Sequence, residues 1–137
     1  MSYKDIEWKH MFTALNEKLW SGNVREIPVV VLPLGKNHLG DFEFSTDGFF
    51  NCIVLSEDAD LTPKEMVGVL AHEMTHQLVF QKYGCEVEEH GKEWLSEIEK
   101  IGFHEDQLDG LSFCDDKLFE SLLARHNELI NDSERNI

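Results

Sequence analysis

Apolar residues recur at helical spacing between residues 3 and 20, where Ile6, Met11, Phe12, Leu15, Leu19 and Trp20 line one side of a helix that Ser21-Gly22-Asn23 ends. The period then shortens. Ile27-Pro28-Val29-Val30-Val31-Leu32-Pro33 is a β-branched run bracketed by prolines, which suit the ends of a strand. Two more strands are expected over Leu39 to Phe44 and Gly48 to Leu55, joined through Ser45-Thr46-Asp47-Gly48, whose Asp-Gly pair signals a hairpin. The helical period returns over 62–83, with Val67, Leu70, Ala71, Met74, Leu78 and Val79 as its apolar stripe. Thr62 is its expected N-cap, Pro63 its first residue, Glu65 the partner in a capping box, and Tyr83-Gly84 its stop. Trp94, Leu95, Ile98 and Ile101 mark a helix over about 91–102, and Leu118, Phe119, Leu122, Leu123, Leu129 and Ile130 mark a last one over 116–130. The polar tail from 131 to 137 is expected to fray. The pattern predicts an α+β fold: a small sheet of three strands, with room for a fourth, packed against the N-terminal helix and the 62–83 helix, with further helices at the C-terminal end.

Length and composition favour one domain over 1–137, because 137 residues with 42% hydrophobic content are enough for one core. The chain lacks an apolar run of about 18 residues, and Met1-Ser2-Tyr3-Lys4-Asp5-Ile6-Glu7 lacks the apolar centre of a secretory signal, so no membrane partner is expected. The expected location is the cytoplasm, or the nucleus in a eukaryote, and not outside the cell. The net charge is −15, from 27 acidic and 12 basic residues, and the basic ones form no run. Such a surface repels phosphate backbones, which argues against direct DNA binding. Cys52, Cys85 and Cys114 stand singly without a C-x-x-C, so they read as free thiols, Cys52 buried in a strand and Cys85 in a loop, with no second structural zinc site.

The candidate chemistry lies in the long helix, where His72-Glu73-Met74-Thr75-His76 is an H-E-x-x-H sequence. Residues i and i+4 fall on one helical face, so His72 and His76 can share a metal ion, and Glu73 beside them can act as base and then acid toward a water. Catalytic zinc usually keeps three protein ligands and one open position. The metzincin continuation fails, since its Gly and His positions hold Val79 and Lys82. His90, fourteen positions after His76 and just before Gly91-Lys92-Glu93-Trp94, is the expected third ligand, with Glu93, Glu97 and His104 as alternatives. Tyr83 and His104 are the available guesses for an oxyanion stabiliser. His10, His38 and His126 read as residues without a role at the site, and Glu88 and Glu89 as a solvated charge run. Phe42, Phe44, Phe49 and Phe50 read as core residues of the hairpin or, in part, as an exposed edge that receives an extended peptide with loose side-chain specificity.

His72-Glu73-Met74-Thr75-His76 followed by His90-Gly91-Lys92-Glu93-Trp94, with Asp47 to Ser56 as a strand before the metal helix, resembles the SprT-like family of zinc metallopeptidases, which includes the Spartan-type proteases. The resemblance covers about residues 28 to 102 and implies a zincin-like fold, one Zn²⁺ held by His72, His76 and His90, Glu73 as the catalytic residue, and hydrolysis of protein or peptide substrates. It also implies a setting of DNA-associated proteins. Many members carry a Cys-rich zinc ribbon, and the scattered Cys52, Cys85 and Cys114 do not spell one here. The alternative from another class is an acidic, zinc-stabilised binding protein that occupies a protein partner without cleaving it. Hydrolysis of a small molecule by the same site is a third reading.

Overall fold

The structure, a computed structural model, describes residues 1–35, 37–102 and 110–135. A single 3-10 turn at Tyr3–Asp5 leads into α1 (Trp8–Trp20), followed by β1 (Val29–Leu32), β2 (Gly40–Glu43), β3 (Cys52–Ser56), α2 (Pro63–Tyr83), α3 (Lys92–Lys100) and α4 (Asp116–Arg135). The sheet order is β1-β3-β2, with β1 parallel and β2 antiparallel to β3. The expected hairpin forms, but its strands are shorter than their apolar runs: Phe44 to Asn51 make the connection, organised by Ser45 and Asp47, which exchange a 2.6 Å hydrogen bond and cap the Phe50 and Phe49 amides. No fourth strand occurs among the described residues.

The apolar face of α1 supplies Trp8, Met11, Phe12 and Leu15 to the core, and its C-terminus closes with Ser21 in the left-handed region at φ 52°. The first helical turn leaves backbone N–H groups without partners inside the helix. One of them finds a distant acceptor, since the Glu7 N–H donates to His126 Nε2 on α4 at 3.0 Å. That bond requires the proton on Nδ1, which faces Asn127 Oδ1 at 2.9 Å. His126 is therefore a buried structural residue. Alongside it, Arg125 forks onto Glu17 of α1 at 2.9 and 3.1 Å.

Every residue of α2 from Met66 to Val79 is buried, so the helix runs through the middle of the molecule and its apolar stripe is only part of its contact surface. Its start matches the expected capping box: Thr62 Oγ1 accepts the Glu65 N–H at 3.2 Å and Glu65 returns to the Thr62 N–H at 2.9 Å. Two of the polar residues it buries, Thr75 and Gln77, are held by hydrogen bonds. Thr75 bonds back to the Ala71 carbonyl at 2.8 Å, and Gln77 accepts from Asn51 at 2.7 Å and donates to Gln81 at 3.1 Å. Gln81 in turn holds the Asn23 carbonyl and the Arg25 amide, which fixes the chain entering β1 to the helix.

Two glycines set the closest approach to α2. A Cβ on Gly68 would overlap the Gly110 carbonyl, and a Cβ on Gly110 would overlap the Gly68 carbonyl. Overpacking of this kind typically costs about 1–3 kcal/mol, so Gly68→Ala is expected to destabilise by about 3 kcal/mol, read as a lower midpoint in urea at an unchanged slope. An unchanged midpoint would mean that the two segments do not touch.

Two expectations are corrected. The stretch from Asn131 does not fray at once: α4 continues to Arg135, because each further residue adds one backbone bond to an existing helix, and Arg135 lies 4.0 Å from Asp132 one turn back. Cys52 is only half-buried, because it opens the central strand opposite Glu43, while Cys85 is exposed in its loop as expected. No described helix is long and apolar enough to cross a membrane.

Candidate metal centre

The capped start of α2 places His72 and His76 one turn apart on the same face. After the helix ends at Gly84, the loop returns over that face and delivers His90 immediately before α3. The three Nε2 atoms form a nearly equilateral triangle: His72 to His76 3.3 Å, His76 to His90 3.2 Å, and His72 to His90 3.3 Å. Tetrahedral coordination at about 2.0–2.1 Å per imidazole separates neighbouring nitrogens by about 3.3 Å, so the three rings fit three corners of such a site. Among the described residues this is the one group of histidine, cysteine and carboxylate side chains close enough together to hold a metal ion. Two members are buried and His90 is exposed, which leaves one side of the group open to solvent.

Trp94 fixes the rings from beneath. It is fully buried, and its indole lies 4.9, 5.3 and 4.4 Å, centre to centre, from His72, His76 and His90. On the other side Phe42 of β2 stacks on His76 at 6.1 Å and 14°. Burial first, and then the neighbouring imidazoles of His72 and His90, push the His76 pKa down to about 3. The ring is held neutral, which is the form that binds a metal.

Glu73 is buried with an oxygen 3.8 Å from His72 Nε2. Its pKa is pushed up to about 8 by burial above all, and then by the negative charges of Asp41 and Glu89. A cation at the imidazoles would act in the opposite direction, so the carboxyl stands where its protonation state responds to what is bound. β2 comes this close because residue 40 is glycine: a Cβ there would lie 2.7 Å from Val69 Cγ1 and 3.5 Å from Glu73 Cγ.

The structure thus brings together His72, Glu73, His76 and His90 and leaves the carboxylate alternatives elsewhere. Glu97 is buried away from the imidazoles and accepts from Lys82 Nζ at 2.9 Å and Lys100 Nζ at 3.2 Å. Burial works to raise its carboxyl, but the two lysines outweigh burial and hold it below the usual range. Glu93 lies beside Glu88 and Lys92 at the surface. His104 falls outside the described residues. Tyr83 is half exposed at the end of α2. Sequence reasoning missed Asp41, whose proximity to Glu73 depends on the strand pairing; Glu89 is exposed, as its reading as a solvated charge has it, and its charge nevertheless bears on Glu73. The exposed reading of the hairpin aromatics holds for Phe44, Phe49 and Phe50, while Phe42 packs against the core.

A model of the SprT-like family matches residues 8–113. A search of the curated proteins found no match to the chain.

Proposed function

The chain belongs to the SprT-like family, and on that premise we propose that it is a zinc-dependent peptidase that hydrolyses peptide bonds in proteins. The observation that carries the proposal is the triangle of Nε2 atoms at 3.2–3.3 Å with a buried glutamate at its side. Three imidazoles also suit copper, iron or nickel, and zinc is preferred because hydrolysis needs Lewis acidity without redox change. Zinc at His72, His76 and His90 would polarise the scissile carbonyl and bring the pKa of the attacking water to about 7.

Glu73 then performs the proton transfers. It takes a proton as the water oxygen bonds to the carbonyl carbon, and it gives that proton to the amide nitrogen as the C–N bond breaks; the water's second proton then passes from the new carboxylic acid to the amine, so the products are a carboxylate and an ammonium group. β2 supports binding of an extended substrate: it is an edge strand alongside α2, and a peptide added there gains main-chain hydrogen bonds whatever its sequence. The net charge of −15 favours basic polypeptides as substrates and disfavours direct contact with DNA. Proteins that associate with DNA are one source of such segments.

The test is incubation of the purified protein with an unfolded basic polypeptide, with zinc and with excess chelator, followed by mass-spectrometric detection of new chain ends. New ends with zinc and none with chelator are expected. An intact polypeptide that is nevertheless bound would favour the reading in which the chain only occupies its partner.

A further inference from the structure

Beside His76 the surface opens into a cleft of about 310 Å³. Its walls are Phe42 and Phe44 from the β2 side, His76 and Phe80 one turn apart on α2, and Val87 and Glu89 from the loop that carries His90. The aromatic rings brace one another, with Phe42 5.7 Å from Phe44 and 6.2 Å from Phe80, and Phe44 5.1 Å from Phe80. Phe44 remains 48% exposed, so much apolar surface faces water next to the three histidines.

We propose that this cleft is the side-chain subsite of the hydrolytic site and takes a large apolar residue, of the phenylalanine, leucine or methionine class, that flanks the scissile bond. The inference rests on the peptidase reading. His76 belongs to both features: one side of its ring walls the cleft while its Nε2 faces His72 and His90, so an occupant of the cleft holds its own backbone beside the three imidazoles. β2 contributes Phe42 to the wall and is the edge strand, so a peptide added along it passes the mouth of the cleft. The volume is at the small end for ligand sites and suits one side chain. An anionic side chain would lose its hydration against four apolar walls and meet Glu89, whereas a large apolar one gains from the same burial. Cleavage is therefore selective for the residue in this cleft, although main-chain pairing along β2 is indifferent to sequence.

The test uses two Gly-Ser-Lys peptides that differ only in one central residue, Phe or Ala. Binding to the zinc-loaded Glu73→Gln protein is measured by calorimetry, and cleavage by the zinc-loaded parent by mass spectrometry. The Phe peptide is expected to bind and to be cleaved about tenfold or more better than the Ala peptide. Phe44→Ala and Phe80→Ala, both at positions outside the fully buried core, are expected to erase most of that ratio. Peptides bound and cleaved equally well would overturn the subsite while leaving the peptidase reading intact. Absence of both binding and cleavage for either peptide, together with an intact unfolded polypeptide, would overturn the two together.

Discussion

Glu73→Gln is expected to lower peptide hydrolysis by about 10³-fold, the range for loss of a general base, while metal content stays at the parent level. Glutamine keeps the shape of the side chain but cannot accept the proton that the attacking water must lose. The fold tolerates the change for a reason visible in the pKa. A carboxyl raised to about 8 in the folded state contributes stability below its unfolded value near 4.5 and loses it as the pH rises through 8. At neutral pH the neutral amide removes that penalty, so the metal-free variant melts no lower than the metal-free parent. Three readings separate the roles: new chain ends report catalysis, elemental analysis reports the site, and melting reports the fold. A variant that cleaves at the parent rate would remove Glu73 from the mechanism, and one that loses its metal would make Glu73 part of the metal-holding structure.

Much of this arrangement is legible in the chain because its signals are local. Thr62, Pro63 and Glu65 announce the helix start, and the i, i+4 spacing of His72 and His76 sets their shared face whatever surrounds it. His90 was reachable through its distance from His76 and the turn between them. What was not legible depends on tertiary packing. The stripe on α2 gives no sign that the helix is buried on all sides, because its polar residues Thr75 and Gln77 are satisfied by partners such as Asn51 that no periodicity names. His126 looks like any surface histidine of a polar helix until α4 lies along α1 and its Nε2 meets the Glu7 amide. Asp41 and Phe42 alternate along one short strand, and only the pairing of β2 with β3 beside α2 brings the first near Glu73 and the second onto His76.

His90→Ala is expected to have the other large effect, loss of the metal. His90 is the exposed member of the three-histidine group and sits on a loop, so its removal leaves the core intact while deleting one corner of the triangle. The affinity should fall by more than the 10–100-fold that changes outside the coordination sphere typically produce, because a direct donor is gone. Activity falls with it, and excess zinc restores only part. The loss also lowers stability at low free zinc, since an ion that binds the folded chain at 1,000 times its Kd contributes about 4.1 kcal/mol. The direct measurement is elemental analysis by inductively coupled plasma mass spectrometry of the parent and His90→Ala proteins after exhaustive dialysis. One equivalent of zinc in the parent and little in the variant is the predicted result; a parent free of metal, or a variant that keeps its full equivalent, would contradict the three-histidine centre.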